Sequence, residues 1–343
     1  MTAGDGNGKK TACVTGGNGF LASALVKFLL EQGYAVNATV RDPKATAKVA
    51  HLAALQSLGD LRIFQADLKV EGSFDAALAG CTYAFLIASP VEVDAKDPEN
   101  DLIKPAIEGT LNVLRSCAKA KTVKRVVLTS SAAAVSANRL EGPGLVLDEE
   151  SWTDVEYLYT TKPPTWGYLV AKTLAEKAAW KFADDNQLDL ITVNPTMIVG
   201  PTMTQETPFS VRLALALITG EELPTLGVKI MEKVSGSISL IHLEDVCRAQ
   251  LHLAETEASA GRYILSAVDS GLWDIAAFLS ATYPQYKITT SLAEVPVRPR
   301  LVFSTEKLQK EGFKFRHKQL EELYDLAVKV ATATGLLPEA TKV

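Results

Sequence analysis

A tyrosine and a lysine that could transfer protons stand four residues apart, at Tyr168 and Lys172. At that spacing two side chains lie one above the other on the same face of a helix. A tyrosine holds its phenolic proton too tightly to exchange it at neutral pH, and a nearby ammonium stabilises the phenolate. The pair is therefore suited to general acid–base catalysis. The plainer alternative is an amphipathic helix with an exposed lysine.

Hydroxyl side chains at residues 129–131, Thr-Ser-Ser, follow an apolar run typical of a buried strand. In an open α/β sheet, ligands bind beyond the carboxyl ends of the strands. A serine hydroxyl there could polarise a carbonyl oxygen beside Tyr168. Together these groups predict reduction of a carbonyl or an adjacent carbon, with hydride from a nicotinamide cofactor.

A glycine-rich turn over residues 15–22 lies between the first predicted strand and the first predicted helix. Its Gly17-x-Gly19-x-x-Ala22 spacing fits the dinucleotide-binding fingerprint, in which glycines let the backbone approach the pyrophosphate. The N–H groups at the helix N-terminus then face the phosphates. Turns also collect glycine for steric reasons, but the strand–turn–helix setting favours dinucleotide binding.

The end of the second predicted strand bears on the choice of nicotinamide cofactor. An acidic side chain there commonly holds the ribose of NAD, whereas a cation holds the 2′-phosphate of NADP. Arg41 offers a bidentate, permanently charged fork, and Lys44 and Lys48 follow it at helical spacing. Asp42 is the competing residue, and we expect it to cap the next helix. NADPH is therefore the predicted cofactor.

Two further strand ends are expected near the cofactor. Asp67 follows the third predicted strand and could accept a hydrogen bond from the adenine amino group, although a turn carboxylate is an equal alternative. The fourth strand ends in Ile87-Ala88-Ser89-Pro90, whose small side chains suit backbone contact with the cofactor and equally suit a simple turn.

Strand and helix signals alternate through the first half of the chain, which requires crossover connections and a parallel sheet covered on both faces. Strands are predicted over residues 11–14, 34–40, 61–65, 83–87, 125–129 and 188–193, with helices including 44–56, 74–78, 107–120 and 168–185. The fold class is α/β, a Rossmann-type doubly wound parallel sheet.

The alternation weakens after Pro195, where prolines separate short helices and loops. We interpret residues 9–194 as an NADP-binding domain and 195–337 as a smaller, irregular C-terminal substrate-binding portion that shares its core. Residues 197–209 are expected to form one wall of an apolar slot. Met197 and Met203 would line it, or else pack in the core.

Composition excludes several classes of protein. The 343 residues are 47% hydrophobic and carry a net charge of −5 without a basic block, which argues against nucleic acid as a partner. No apolar run is long enough for a membrane span, and the polar N-terminus does not resemble a signal peptide. Neither the four cysteines nor the four histidines have metal-ligand spacing, so no metal is predicted, and the thiols suit a reducing, cytoplasmic location. His242, with apolar neighbours, is expected in the core.

Taken together, the glycine-rich turn, the hydroxyl cluster and Tyr168-x-x-x-Lys172 resemble the extended short-chain dehydrogenase/reductase family over essentially the whole chain. The resemblance narrows to the flavonoid reductases of plants at residues 40–43, 97–100, 104–107, 163–168 and 172–180. Within that group, residues 130–135, 163–168 and 235–237 most resemble the members that reduce anthocyanidins to 2,3-cis-flavan-3-ols with NADPH.

The resemblance implies roles for individual residues. Ser131, Tyr168 and Lys172 would form the catalytic triad, acting on a small flavonoid. Residues lining the cofactor would be Gly16, Asn18, Gly19, Phe20, Leu21, Arg41, Lys48, Asp67, Leu68, Ile87, Ala88, Ser89, Pro90, Tyr168, Lys172 and Pro195. Oligomeric state stays open.

The activities of related plant reductases are the alternatives to reduction of anthocyanidins. Dihydroflavonol 4-reductases typically have asparagine where Ser136 stands, and cinnamoyl-CoA reductases carry Asn-Trp-Tyr-Cys-Tyr where this chain has Pro-Thr-Trp-Gly-Tyr at 164–168. Conversely, Leu169, Ala171 and Asn194 replace the proline, serine and apolar residue usual in the anthocyanidin-reducing members. Reduction of a dihydroflavonol or flavanone at C4 therefore remains the alternative. A cofactor-binding regulator without turnover is a further one, against which the intact triad argues.

Overall fold

The computed structural model describes residues 10–90, 95–137, 145–289, 292, 295 and 299–338. Its strands in chain order are β1 (Thr11–Val14), β2 (Ala35–Val40), β3 (Leu61–Gln65), β4 (Tyr83–Leu86), β5 (Arg125–Thr129), β6 (Val146–Leu147), β7 (Leu190–Pro195), β8 (Met197–Val199), β9 (Ile238–His242), β10 (Gly261–Leu265), β11 (Val268–Ser270) and β12 (Val302–Phe303). Its helices are α1 (Phe20–Glu31), α2 (Thr46–Ala54), α3 (Asp75–Leu78), α4 (Lys104–Ala120), α5 (Ala133–Ser136), α6 (Val155–Thr161), α7 (Trp166–Asn186), α8 (Phe209–Ala214), α9 (Ala216–Thr219), α10 (Glu222–Ser235), α11 (Leu243–Glu255), α12 (Leu272–Thr282), α13 (Glu306–Lys310) and α14 (Leu320–Ala333). A 3₁₀ turn, Leu55–Ser57, follows α2, and a π-helical turn, Glu99–Ile103, precedes α4.

A seven-stranded parallel sheet forms the centre of the described chain, in the order β10-β7-β5-β4-β1-β2-β3. The order runs outward from β1 in both directions, through β2 on one side and β4 on the other. The carboxyl ends of β1 and β4 therefore flank the switch point of the sheet, where such folds bind ligands. The predicted doubly wound, Rossmann-type fold is confirmed.

Helices cover both faces of this sheet because successive strand residues point to opposite sides. On one face α1, α2 and α11 pack over residues such as Val14 and Val36. On the other, α3, α4 and α7 pack over Cys13 and Ala84. All six residues of β2 are buried, as expected for a strand covered on both sides.

The chain after residue 195 contributes to the main sheet and to two smaller sheets. β10 pairs with β7 in the main sheet, and α11 packs against α1. Most of the remainder builds a three-stranded sheet, β11-β9-β8, with α8, α9, α10, α12 and α14 around a second core cluster. In addition, β12 pairs with β6 in a two-stranded sheet, and α13 packs against β10. The main core thus includes residues from both sides of the predicted boundary, and the division at residue 194 stays a prediction.

Predicted and observed element bounds agree at β1, β3 and β5 and differ by a few residues elsewhere. The helix predicted over 107–120 begins at Lys104, since Pro105 is tolerated in a first helical turn. The strand predicted over 188–193 is β7, which continues to Pro195. β10 was not predicted, because Gly261 and Arg262 make its sequence look like a polar loop.

Two observations concern the environment that the sequence predicts, which is a reducing one with no membrane span. None of those helices has an apolar stretch long enough to cross a membrane. All four cysteines are buried with free thiols. Burial raises the pKa of the Cys81 thiol to about 11, so it is protonated at neutral pH.

Candidate active site

The glycine-rich turn lies at the switch point, tied to the strands on either side. Gly17 N–H donates to the Thr39 carbonyl of β2 at 2.7 Å. On the other side the Thr15 hydroxyl accepts from the backbone N–H groups of Ile87 and Ala88 at 2.9 and 3.0 Å. The turn and the end of β4 are thereby held together as one rigid edge.

Close approach explains why glycines occupy this turn. A Cβ on Gly17 would lie 2.9 Å from the Ala38 Cβ, and one on Gly16 would lie 3.1 Å from the Ala88 Cβ. Gly16 also has a φ of +68°, which side-chain-bearing residues rarely adopt. The first N–H groups of α1, beginning at Phe20, have no acceptor within the helix. This arrangement fits the pyrophosphate of a dinucleotide, since backbone can reach it and the helix N-terminus favours an anion.

Cations follow β2 at the position predicted to select the cofactor. Arg41, Lys44 and Lys48 are exposed, and none has an ion-pair partner within the described residues. The prediction that Asp42 caps the next helix is wrong, because α2 begins at Thr46 with Ala45 as its N-cap. Asp42 Oδ1 instead accepts from Lys44 N–H at 2.9 Å, within the turn that precedes the helix.

Asp67 and its neighbour occupy the end of β3. Asp67 Oδ1 accepts from Lys69 N–H at 2.9 Å. Asp67 therefore acts as a turn carboxylate, which is the predicted alternative to adenine binding. The Leu68 carbonyl accepts from Asn112 Nδ2 at 2.8 Å. Contact of Asp67 with adenine and contact of Leu68 with the cofactor stay predictions.

Ser131 follows β5 at the carboxyl edge of the sheet. The flanking backbone is fixed by hydrogen bonds from Ser130 N–H to the Val193 carbonyl and from Ala132 N–H to the Pro195 carbonyl, both 2.9 Å. Ser131 Oγ accepts from Ala133 N–H at 3.1 Å, which leaves its O–H hydrogen to be donated elsewhere. The chain then enters α5, which packs against α7.

Tyr168 and Lys172 lie on the first two turns of α7, and both are half-buried. The Lys172 Nζ is 5.9 Å from the centre of the Tyr168 ring. Thr165, the N-cap, has a φ of +66°, and a Cβ on Gly167 would lie only 2.6 Å from the Pro98 Cβ. The start of α7 is therefore packed directly against the segment that leads into α4.

A cavity of about 340 Å³ opens beside Tyr168, which is within the size range of small-molecule sites. Its lining residues are Ala95, Pro98, Leu102, Lys162, Pro163, Pro164, Thr165, Trp166, Gly167 and Tyr168. Residues 197–209, predicted as a wall of the substrate slot, are not among them. Met197 packs against the second core cluster and Met203 against the main one, so contact of either with substrate stays a prediction.

Comparison with known proteins places this geometry in a family. Residues 12–265 match the NAD dependent epimerase/dehydratase family, which is more than half of the chain. The chain belongs to that family. Since this match spans the glycine-rich turn, β5 and α7, the elements described above are those of a nicotinamide-dinucleotide enzyme family.

Comparison with individual proteins shows which members of the epimerase/dehydratase family this chain resembles. It is 56% identical over 330 residues to "Anthocyanidin reductase ((2S)-flavan-3-ol-forming)" of Vitis vinifera, covering 96% of this chain and 97% of that protein. Identity to dihydroflavonol 4-reductase of Zea mays is 44% over 339 residues, covering 97% and 91%. The crystal structure of vestitone reductase from alfalfa (Medicago sativa L.) has a TM-score of 0.81 at 37% identity, covering 96% and 100%. The predicted resemblance to plant flavonoid reductases is confirmed.

A buried polar network beneath the site of this family member was not predicted. The fully buried Glu176 carboxylate, on α7, receives hydrogen bonds from four side chains. The donors are Ser130 (2.6 Å), Thr192 (2.7 Å), Asn194 (2.8 Å) and Arg262 (2.8 Å). One sequence signal was available, since Glu176 continues the four-residue spacing of Tyr168 and Lys172.

Two histidines meet at the end of β9, although their sequence spacing predicted no cluster. The ligand atoms of His242, His317 and Glu244 lie within 4.8 Å of one another. His242 is in the core, as predicted, and its Nδ1 accepts from Glu244 N–H, so the ring hydrogen is on Nε2. Burial and the charge of His317 lower the pKa of His242 to about 4. A neutral ring with a protonated Nε2 is unsuited to ligating a metal through that nitrogen.

Proposed function

We propose that this protein reduces anthocyanidins to flavan-3-ols, the 2,3-cis products that its sequence resemblance implies, with NADPH as the reductant. The observation that carries the substrate class is the difference in identity over nearly the same length: 56% to an anthocyanidin reductase against 44% to a dihydroflavonol 4-reductase. The placement of Tyr168 and Lys172 at the carboxyl edge of the sheet supports the reaction type.

The proposed chemistry assigns a distinct task to each catalytic residue. NADPH, when bound, supplies hydride. Tyr168 exchanges a proton with the substrate through its phenolic oxygen, and the Lys172 ammonium beside it stabilises the phenolate. Ser131 donates a hydrogen bond to a substrate oxygen, since its Oγ already accepts from Ala133. The cavity beside Tyr168 would accept one aromatic end of a flat polyphenol.

NADPH would be held by backbone at one end and by cations at the other. The N-terminus of α1 and the turn through Gly16 would bind the pyrophosphate, and Arg41, with Lys44 or Lys48, the 2′-phosphate. Arg41 is supported in this role because it is exposed and has no ion-pair partner among the described residues. For location we propose the cytoplasm, supported by four buried free thiols.

Replacing Arg41 with alanine is expected to raise KM for NADPH and to leave KM for NADH nearly unaltered. A charged hydrogen bond is worth about 1.5–3 kcal/mol, so the increase should be on the order of tenfold to 100-fold. Steady-state kinetics with each cofactor measures it. Arg62→Ala is the matched control, since Arg62 lies on β3 and pairs with Asp60 at 3.5 Å. Equal losses with both cofactors would show that Arg41 is structural.

The ratio of NADPH consumed to product formed tests the substrate class. Converting the cyanidin cation to a flavan-3-ol adds two hydrides and one proton, so the ratio should approach about two. Reduction of a dihydroflavonol at C4 would consume NADPH and substrate one to one. The products of each incubation would be identified by chromatography. Robust turnover of dihydroquercetin with no flavan-3-ol from cyanidin would reject the proposed substrate.

A further inference from the structure

The buried carboxylate of Glu176 connects the helix that carries Tyr168 and Lys172 to the strand end that carries Ser131. Glu176 lies one turn beyond Lys172 on α7 and is 0% exposed. Its Oε2 accepts from the hydroxyl of Ser130, the residue directly before Ser131, at 2.6 Å. The same oxygen accepts from Asn194 Nδ2 at 2.8 Å.

Asn194 provides a second connection to the same catalytic residue. Its Nδ2 also donates to the Ser131 carbonyl at 3.2 Å, so one amide group joins Ser131 to Glu176. The orientation of this amide follows from its partners, because both are acceptors and only the NH₂ end can serve them. Asn194 is fully buried, and its two Nδ2 hydrogen bonds offset part of the cost of burying a polar side chain there.

The other carboxylate oxygen is anchored away from Ser131. Oε1 accepts from the Thr192 hydroxyl at 2.7 Å and from Arg262 Nε at 2.8 Å. Arg262 is itself held by the carbonyls of Glu149 and Ser151, both at 2.7 Å. A carboxylate is the one side chain that offers two acceptor oxygens and no donor to four converging donors. A glutamine would turn an NH₂ group toward at least one of them.

We propose that Glu176, acting through Ser130 and Asn194, is a positioning residue that fixes Ser131 relative to Tyr168 and Lys172. The four donors, among which Arg262 is itself anchored, determine where the carboxylate lies, and its Oε2 in turn determines where the Ser131 backbone lies. The expected effect on kcat rests on the proposed reductase function. It does not depend on which flavonoid is reduced.

Glu176→Gln is expected to lower kcat on the order of tenfold and to leave KM for NADPH within about twofold, because small displacements of a catalytic group cost rate more than binding. Asn194→Ala removes the hydrogen bonds that join Ser131 to Glu176 through the amide, keeps the Glu176–Arg262 ion pair, and should show the same split. The variants are assayed with cyanidin and with dihydroquercetin. Hydrogen exchange of the peptide containing Ser130 and Ala132 should also become faster in both.

Glu311→Gln is the matched control, since Glu311 accepts from the hydroxyl of Ser259, before the amino end of β10, and from that of Tyr263, at 2.5 and 2.6 Å, and is bonded to neither Ser130 nor Asn194. Its kcat should match that of the unsubstituted protein. If Glu176→Gln does not fold, Asn194→Ala decides the question.

Lower stability with unchanged kcat in Asn194→Ala would overturn the proposal, because Glu176 would then be a structural ion-pair partner only. If the unsubstituted protein turned over neither flavonoid, the proposed function would fail separately. Hydrogen exchange at residues 130–132 would still decide whether Glu176 holds this segment: faster exchange in both variants supports it, and unchanged exchange rejects it.

Discussion

Replacing Tyr168 with phenylalanine should lower kcat by about 100-fold or more, because it removes the hydroxyl that we propose exchanges a proton with the substrate. The ring itself stays and keeps its packing near Trp166 and Leu169. Backbone geometry at the start of α7 is unaffected, since the Tyr168 N–H still donates to the Thr165 carbonyl. Cofactor affinity should therefore be preserved. Steady-state kcat and a fluorescence titration with NADPH measure the two quantities separately.

Tyr34→Phe provides the control for this substitution. Tyr34 precedes β2, at the amino edge of the sheet, and its hydroxyl donates to Glu255 at 2.5 Å. Loss of that hydrogen bond should reduce stability modestly and leave kcat intact. Near-normal turnover by Tyr168→Phe would refute the assigned role of Tyr168, and the proton would then have to come from another group.

The parts of the site that could be predicted from the sequence are those encoded by neighbouring residues. The glycine-rich turn needs only a strand before it and a helix after it, so a short window contains the whole pattern. The spacing of Tyr168 and Lys172 is likewise contained within one helix. For both, the physical requirement, close backbone approach or a shared helix face, translates directly into residue type and interval.

Contacts between distant segments could not be predicted in this way. Glu176 and Arg262 are 86 positions apart, and nothing near either residue indicates that the other neutralises it. β10 was missed for the same reason, since an arginine in a short strand resembles a loop until its partner is known. Asp42 shows the opposite error: its residue type fits an N-cap, but it closes a turn with Lys44 and Ala45, and the helix begins only at Thr46.

Replacing Arg262 with methionine should lower the free energy of unfolding by about 3–5 kcal/mol, because it leaves the Glu176 carboxylate buried without its cation. Arg262 is 7% exposed, and its guanidinium also lies 3.6 Å from the centre of the Trp152 ring. Methionine replaces most of the aliphatic stem, so the loss is dominated by charge and hydrogen bonds. Urea denaturation followed by tryptophan fluorescence measures it.

Arg62→Met is the control that shows how much of the loss in unfolding free energy depends on burial, because it removes an exposed ion pair. Arg62 pairs with Asp60 at 3.5 Å, with side chains 69% and 46% exposed, and exposed pairs contribute about 1 kcal/mol or less. In the double variant Glu176→Met/Arg262→Met, neither charge of this pair remains buried, so the loss should be smaller than the sum of the two single losses. Strictly additive losses would show that the two residues stabilise the protein independently. In that case the ion pair could not be the anchor that holds the carboxylate beneath Ser131.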